Sequence, residues 1–184
     1  MYNGVFNGFQ ITANTGISIK DGKTASLFLN SLAVTNLLGG TNSITVWLTD
    51  TGYTIPNLPV NPNAVTTGTF STTTTGTVNY AAYLDPLNKA FTGGAPMTIM
   101  SGTIASPDGS AFSGADNTGH LLSDLSGPFS MTEAIGISMA GALQSTSLDF
   151  QVDTTPVPEP GTFALIGAGL FALAVFSRRK MNKA

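Results

Sequence analysis

His120 sits in the stretch GADNTGHLLSD, and it is the only histidine in a chain that has no cysteine. A zinc centre needs several nitrogen, sulfur or carboxylate ligands, so a structural zinc site is not expected. Disulfides, thiolate nucleophiles and cysteine-held clusters are excluded outright. As a general base, His120 would need a nucleophile and an orienting carboxylate. The nearest approach to a nucleophile elbow is Gly136-Ile137-Ser138-Met139-Ala140, which lacks the final glycine and follows the histidine in the chain, reversing the hydrolase order. The expectation is a serine on a strand and a histidine on the surface.

Carboxylates offer a second chemistry. Glycoside hydrolysis needs two of them facing each other across a cleft. Glu133 and Asp149 fall on predicted strands, whereas Asp21, Asp50, Asp85, Asp108 and Asp116 fall in predicted turns. Asp108, Asp116, Asn117 and Asp124 form an acidic region whose hard oxygens suit Ca²⁺, but the spacing is not that of an EF-hand loop. Solvated turn residues are the expectation there, with no cofactor, no metal site and no catalytic constellation. Phe91, Phe112, Phe129, Tyr80, Tyr83, Tyr53 and Trp47 are candidate core residues. If Trp47 and Tyr53 face outward beside threonine and asparagine, they would make a surface on which sugar rings stack.

The elements that must position these residues are strands. Only 9% of the 184 residues are charged, against roughly 25% in typical soluble domains. Threonine, serine, asparagine and glycine take up the difference, a mixture that favours strands and turns over helices. Residues 4–13 look like a strand already under way, and Asp21-Gly22 between two strand-like runs signals a hairpin. In SITVWLTD (43–50), Ile44, Val46 and Leu48 alternate with Thr45, Trp47 and Thr49, so one face is buried or the tryptophan face meets a second layer. Residues 52–64 contain three prolines and read as a loop. Further strands are predicted over 76–84, 97–105, 129–140 and 145–153, and the Thr run 71–77 reads as strand or loop. A helical period is suggested only over 80–90, where Pro86 interrupts it. The pattern predicts an all-β fold over residues 1–153, an antiparallel β-sandwich of which a jelly-roll arrangement is one version and an open barrel the alternative.

After a Pro-rich linker at 154–160 the composition changes. Residues 161–177, GTFALIGAGLFALAVFS, carry no charge, and as a helix they would reach roughly 25 Å, close to the thickness of a bilayer core. Pro158 and Pro160 keep the helix from running back into the body. Arg178, Arg179 and Lys180 follow at once, with Lys183 beyond them in the basic tail 178–184. By the positive-inside rule this cluster stays in the cytoplasm as a membrane stop, which places the body on the other side. The body has nine acids against Lys20, Lys23 and Lys89, so nucleic acid is not an expected partner. The competing expectation for 161–177 is a C-terminal helix packed into the core.

The order Val157-Pro158-Glu159-Pro160, a glycine-containing apolar span, then Arg178-Arg179-Lys180 resembles the PEP-CTERM sorting signal of Gram-negative bacteria, over about the last 28 residues. The resemblance implies recognition by an exosortase, a membrane cysteine protease that cuts near the Pro-Glu-Pro. It implies an inner-membrane precursor held by its C-terminal helix, with the body outside and later at the cell surface or extracellular. It also implies an association with extracellular polysaccharide, matrix, biofilm or floc. Such proteins normally start with a secretory signal peptide, and MYNGVFNGFQ has neither a basic n-region nor an apolar h-region. A start lying upstream of Met1 is the expectation, with a tail-anchored protein of cytoplasmic body as the competing idea. The body also loosely resembles the β-rich bodies that precede such tails, a likeness that brings no activity with it. The function expected is thus a non-enzymatic, exported surface or matrix protein, with a carbohydrate- or Ca²⁺-binding module as the alternative and a secreted hydrolase behind it.

Overall fold

A computed structural model describes residues 1–14, 16–22, 24–55, 60–71, 75–91, 97–105, 111–116, 127–156, 161, 165–171 and 173. Eleven strands run through them: β1 (Tyr2–Phe6), β2 (Phe9–Ala13), β3 (Ile17–Lys20), β4 (Ala25–Asn36), β5 (Asn42–Tyr53), β6 (Val60–Phe70), β7 (Gly76–Asp85), β8 (Met97–Ala105), β9 (Ala111–Asp116), β10 (Phe129–Met139) and β11 (Ser145–Pro156).

They form two antiparallel sheets. One has the order β1-β2-β4-β11-β6-β9 with β3 also pairing β4, and the other has the order β5-β10-β7-β8. The pairs β4·β11, β5·β10, β6·β9 and β7·β8 are nested one inside the next along the chain. This is the winding of a long double strand rolled into a sandwich, the jelly-roll version of the expected fold. Among the described residues the strands divide into two sheets and not a closed ring, as in a sandwich and unlike the barrel alternative.

Strand alternation builds the core. On β10 the side chains of Phe129, Met131, Ile135, Ile137 and Met139 point between the sheets and are fully buried. They meet Leu27, Leu29, Leu32 and Val34 of β4 and Leu148, Phe150 and Val152 of β11, while Val78, Ala82 and Leu84 of β7 complete the layer. Burying such side chains contributes about 1.5–3 kcal/mol each, the main term holding the sheets together. At one end, Lys20 Nζ of β3 bridges to Asp50 of β5 at 2.7 Å, joining the two sheets.

Three local expectations are corrected. Residues 4–13 are not one strand but a hairpin, because Asn7 and Gly8 both take positive φ (47° and 81°) and turn the chain. Residues 60–64 belong to β6 rather than to a loop. Pro62, which has no N–H to donate, stands opposite Thr154 in the β11 ladder, close to the strand's N-terminal end. Residues 80–85 lie in β7 and are not helical. The short strand β9, AFSGAD, gave no signal in the sequence, since glycine, serine and aspartate are poor strand formers and its identity comes from pairing with β6. The Asp21-Gly22 hairpin forms as expected: Gly22 has φ 74° and the Thr24 N–H donates to Asp21 Oδ1 at 2.7 Å.

Of the expected span 161–177, residues 161, 165–171 and 173 are helical. Leu165, Ile166, Leu170, Phe171 and Leu173 are all exposed, so these apolar side chains do not pack into the sandwich core. Among the described residues no helix is long and apolar enough to cross a membrane.

Candidate functional site

The outer face of the four-stranded sheet carries a surface site built on aromatic and small residues. Trp47 on β5 and Tyr83 on β7 flank the central strand β10, which opposes them with Ala134 and Thr132 respectively. Because the intervening side chains are small, the two rings reach one another over β10, with centroids 6.1 Å apart and planes inclined by 18°. Trp47 remains 48% exposed. Beside the ring pair the sheet sinks into a shallow trough of about 470 Å³ floored by Ala81, Ala134 and Gly136.

Polar groups line both walls of this trough. Thr103 Oγ1 donates to Asn79 Oδ1 at 2.7 Å, which fixes the amide with its NH₂ group turned towards the floor. Thr45 supplies a hydroxyl from the opposite wall. A Cβ placed on Gly136 would lie 3.8 Å from Thr45 Oγ1 and 3.9 Å from Asn79 Nδ2, so the floor lies between a hydroxyl and an amide donor. Among the described residues none that lines the trough is charged.

Tyr53 is not part of this face, which corrects the expected Trp47 and Tyr53 pairing. Simple alternation puts odd-numbered residues of β5 on one side. However, Phe129 pairs with Tyr53 and Met131 with Asp50, so β5 carries one extra residue there, and Gly52 adopts φ 79°. That bulge turns Tyr53 inward, where it is fully buried and stacks on Phe129 at 5.6 Å. Its hydroxyl donates to the Ser26 carbonyl at 3.4 Å, and burial pushes the phenol up to about 12. Lys20 Nζ lies 4.9 Å from the ring centroid. Burial also raises the Asp50 carboxyl, but hydrogen bonds from Lys20, Ser18 and the Thr51 N–H outweigh it and hold the group below its ordinary value.

Glu133 and Asp149 are not brought together across a cleft. Glu133 occupies the inward row of β10, between Met131 and Ile135, and is fully buried. Burial, reinforced by the nearby charge of Asp153, pushes its carboxyl up to about 9; the N–H groups of Leu29 and Val152 oppose this. Neither carboxyl oxygen closes a well-formed hydrogen bond. Asp149 is engaged elsewhere: its Oδ1 accepts from the Ser31 N–H at 2.6 Å, across the register shift between Leu148 and Phe150.

Ser138 lies in the straight run of β10 and not on a strand-to-helix elbow. His120, Asp108, Asn117 and Asp124 lie outside the described residues, as does the side chain of Asp116. Among the described residues no group of three or more histidine, cysteine or acidic side chains gathers to hold a metal. Of the other aromatic candidates, Phe129 is in the core, Phe112 and Tyr80 pack against it, and Phe91 is exposed. The sorting residues Val157, Pro158, Glu159 and Pro160 and the basic residues Arg178, Arg179 and Lys180 also lie outside the described residues. Sequence reasoning missed Tyr83 as Trp47's partner and the Gly136 floor, although a glycine in the middle of a predicted strand is itself a signal of close approach.

Residues 156–180 match the family model of the PEP-CTERM protein-sorting motif. This motif marks a protein for secretion and for membrane-associated processing, with recognition by an exosortase membrane protein. No curated protein matches the chain. Among solved structures, TmCBM61 in complex with β-1,4-galactotriose is 11% identical, covers 80% of this chain and 88% of its own, and has a TM-score of 0.35. The enzymatically active domain of tailspike protein 4 from bacteriophage CBA120 is 13% identical with a TM-score of 0.30, over 79% of this chain but 20% of that one. The structure of infectious bursal disease virus, Gx strain, is 9% identical with a TM-score of 0.29, over 84% of this chain and 34% of that one. Likeness at this level carries no function from those proteins to this chain.

Proposed function

We propose that this PEP-CTERM-bearing chain is a non-enzymatic surface or extracellular-matrix protein of a Gram-negative bacterium, sorted and cut by an exosortase, and associated outside the cell with exopolysaccharide or biofilm. The match over residues 156–180 carries the reading. In this reading the C-terminal helix holds the precursor in the inner membrane, with Arg178, Arg179 and Lys180 on the cytoplasmic side and the sandwich outside. The exposed apolar row from Leu165 to Leu173 supports it, because apolar side chains left unburied in water need a lipid or protein environment. Pro158, Glu159 and Pro160 form the segment that the protease reads, next to the bilayer. Changing these three residues to alanine together is expected to leave the protein uncut in the membrane fraction. Release of that variant at the normal level would overturn the reading.

A second reading, a carbohydrate-binding module, is favoured by the uncharged Trp47 and Tyr83 face. A Ca²⁺-binding role would show as a rise in melting temperature on adding Ca²⁺.

A further inference from the structure

Gly136 sits mid-strand in β10 with room to spare. A Cβ there would make only ordinary contacts, the nearest at 3.7 Å to Asn79 Cβ, whereas at Gly102, a neighbour in the same sheet, a Cβ would collide with the Tyr80 ring. Packing therefore requires glycine at 102 and not at 136. Nor does backbone geometry require it, since Gly136 is not among the residues with positive φ. A glycine in a strand interior weakens the strand, so its presence at an unconstrained position leaves the floor of the trough open at some cost in stability.

From this floor, the ring pair and the neutral walls, we infer that the trough is the binding site of an uncharged polysaccharide. At one end Trp47, half exposed and backed by the near-parallel Tyr83 ring, is a platform for the apolar face of a pyranose. Asn79 Nδ2 and the Thr45 hydroxyl reach over Gly136 from opposite walls and meet ring hydroxyls, which donate and accept in turn. Gly136 lets the next sugar lie against the sheet between them. Among the described residues that line the trough none is charged, which favours a neutral chain over a uronate or sulfated one, since none of them offsets an anion's desolvation. The trough is open at the surface, as a polymer requires. This deepens the carbohydrate-binding reading and is independent of the sorting reading.

The test uses the full chain held in detergent, with soluble galactan, mannan, glucan and xylan as probes and polygalacturonate as the charged control, read by affinity electrophoresis and calorimetry. At least one neutral polymer is expected to bind, and polygalacturonate more weakly. Trp47→Ala and Gly136→Val are each expected to weaken binding by about tenfold or more. Gly136→Val should keep or raise the melting temperature, because it adds a strand-forming residue. Trp47→Phe should retain part of the affinity, which a merely structural loss would not do. No binding to any neutral polymer would overturn the inference, as would binding that survives both substitutions. A dimer that Trp47→Ala converts to monomer would also overturn it, because a second copy would then occupy the face. All these readouts concern the isolated chain, so none is affected by whether the tail is cut in the cell.

Discussion

Trp47 and Tyr83 lie two strands apart, yet their rings meet at 6.1 Å across β10 because Ala134 leaves the space between them empty. The contact joins the two sides of the small sheet at its outer face. Trp47 is the only tryptophan, so its emission reports on this one place.

Tyr83→Ala is expected to shift Trp47 emission to the red and to cost about 1 kcal/mol in urea unfolding, the scale of an aromatic pair. An unmoved emission maximum would show that the two rings are not in contact in solution.

Glu133 makes the stability depend on pH in a predictable direction. Its folded value, raised to about 9 from an ordinary 4.5, means that the folded protein holds this proton more tightly than the unfolded chain. Stability from the protonated form is therefore full below pH 4.5 and drains as pH rises towards 9. Each pH unit in that window removes up to about 1.4 kcal/mol, or about 3 kcal/mol by neutrality. Glu133→Gln, which cannot ionise, should gain on the natural protein steadily from pH 5 to 8.5 in denaturant titrations. Parallel stability curves for the two proteins would refute this.

Asp149 holds an irregular stretch of β4 in place. Ser31 takes φ 53° beside the register shift, and its N–H is satisfied by the Asp149 carboxylate. Asp149→Ala should cost about 1–3 kcal/mol by removing that acceptor. Ser31→Gly should be neutral or stabilising, since glycine accepts positive φ freely. Thermal unfolding of the two variants checks both signs together.

Gly68 and Gly136 should respond oppositely to a side chain. At Gly68 a Cβ would press into the Ser147 carbonyl oxygen and the Phe112 ring, so Gly68→Ala should destabilise by about 1–3 kcal/mol as the paired strands move apart. Gly136→Ala should leave stability unchanged or slightly raised. Equal losses at both sites would remove the distinction between a glycine required by packing and one that is not.

Much of this protein follows from local chemistry that a sequence displays. Alternating apolar residues in 43–50 and 129–140 place strands with one buried face, Asp21-Gly22 marks a turn, and the order of prolines, apolar run and arginines marks the sorting tail. These are short-range properties, set by neighbours within a few residues. Tertiary pairing decided the rest. β9 exists because β6 offers it an edge; residues 60–64 lie in a strand because β11 pairs with them from Val152 to Pro156. The alternation that sets Trp47 and Tyr53 on one face is undone by a single extra residue opposite Ser130, which sends Tyr53 into the core and leaves Tyr83 beside Trp47. Glu133 likewise occupies an inward position that its own strand prescribes, but only the arrival of the second sheet takes away its water. Period-two geometry is local, whereas bulges, edges and desolvation depend on which distant strand lies alongside.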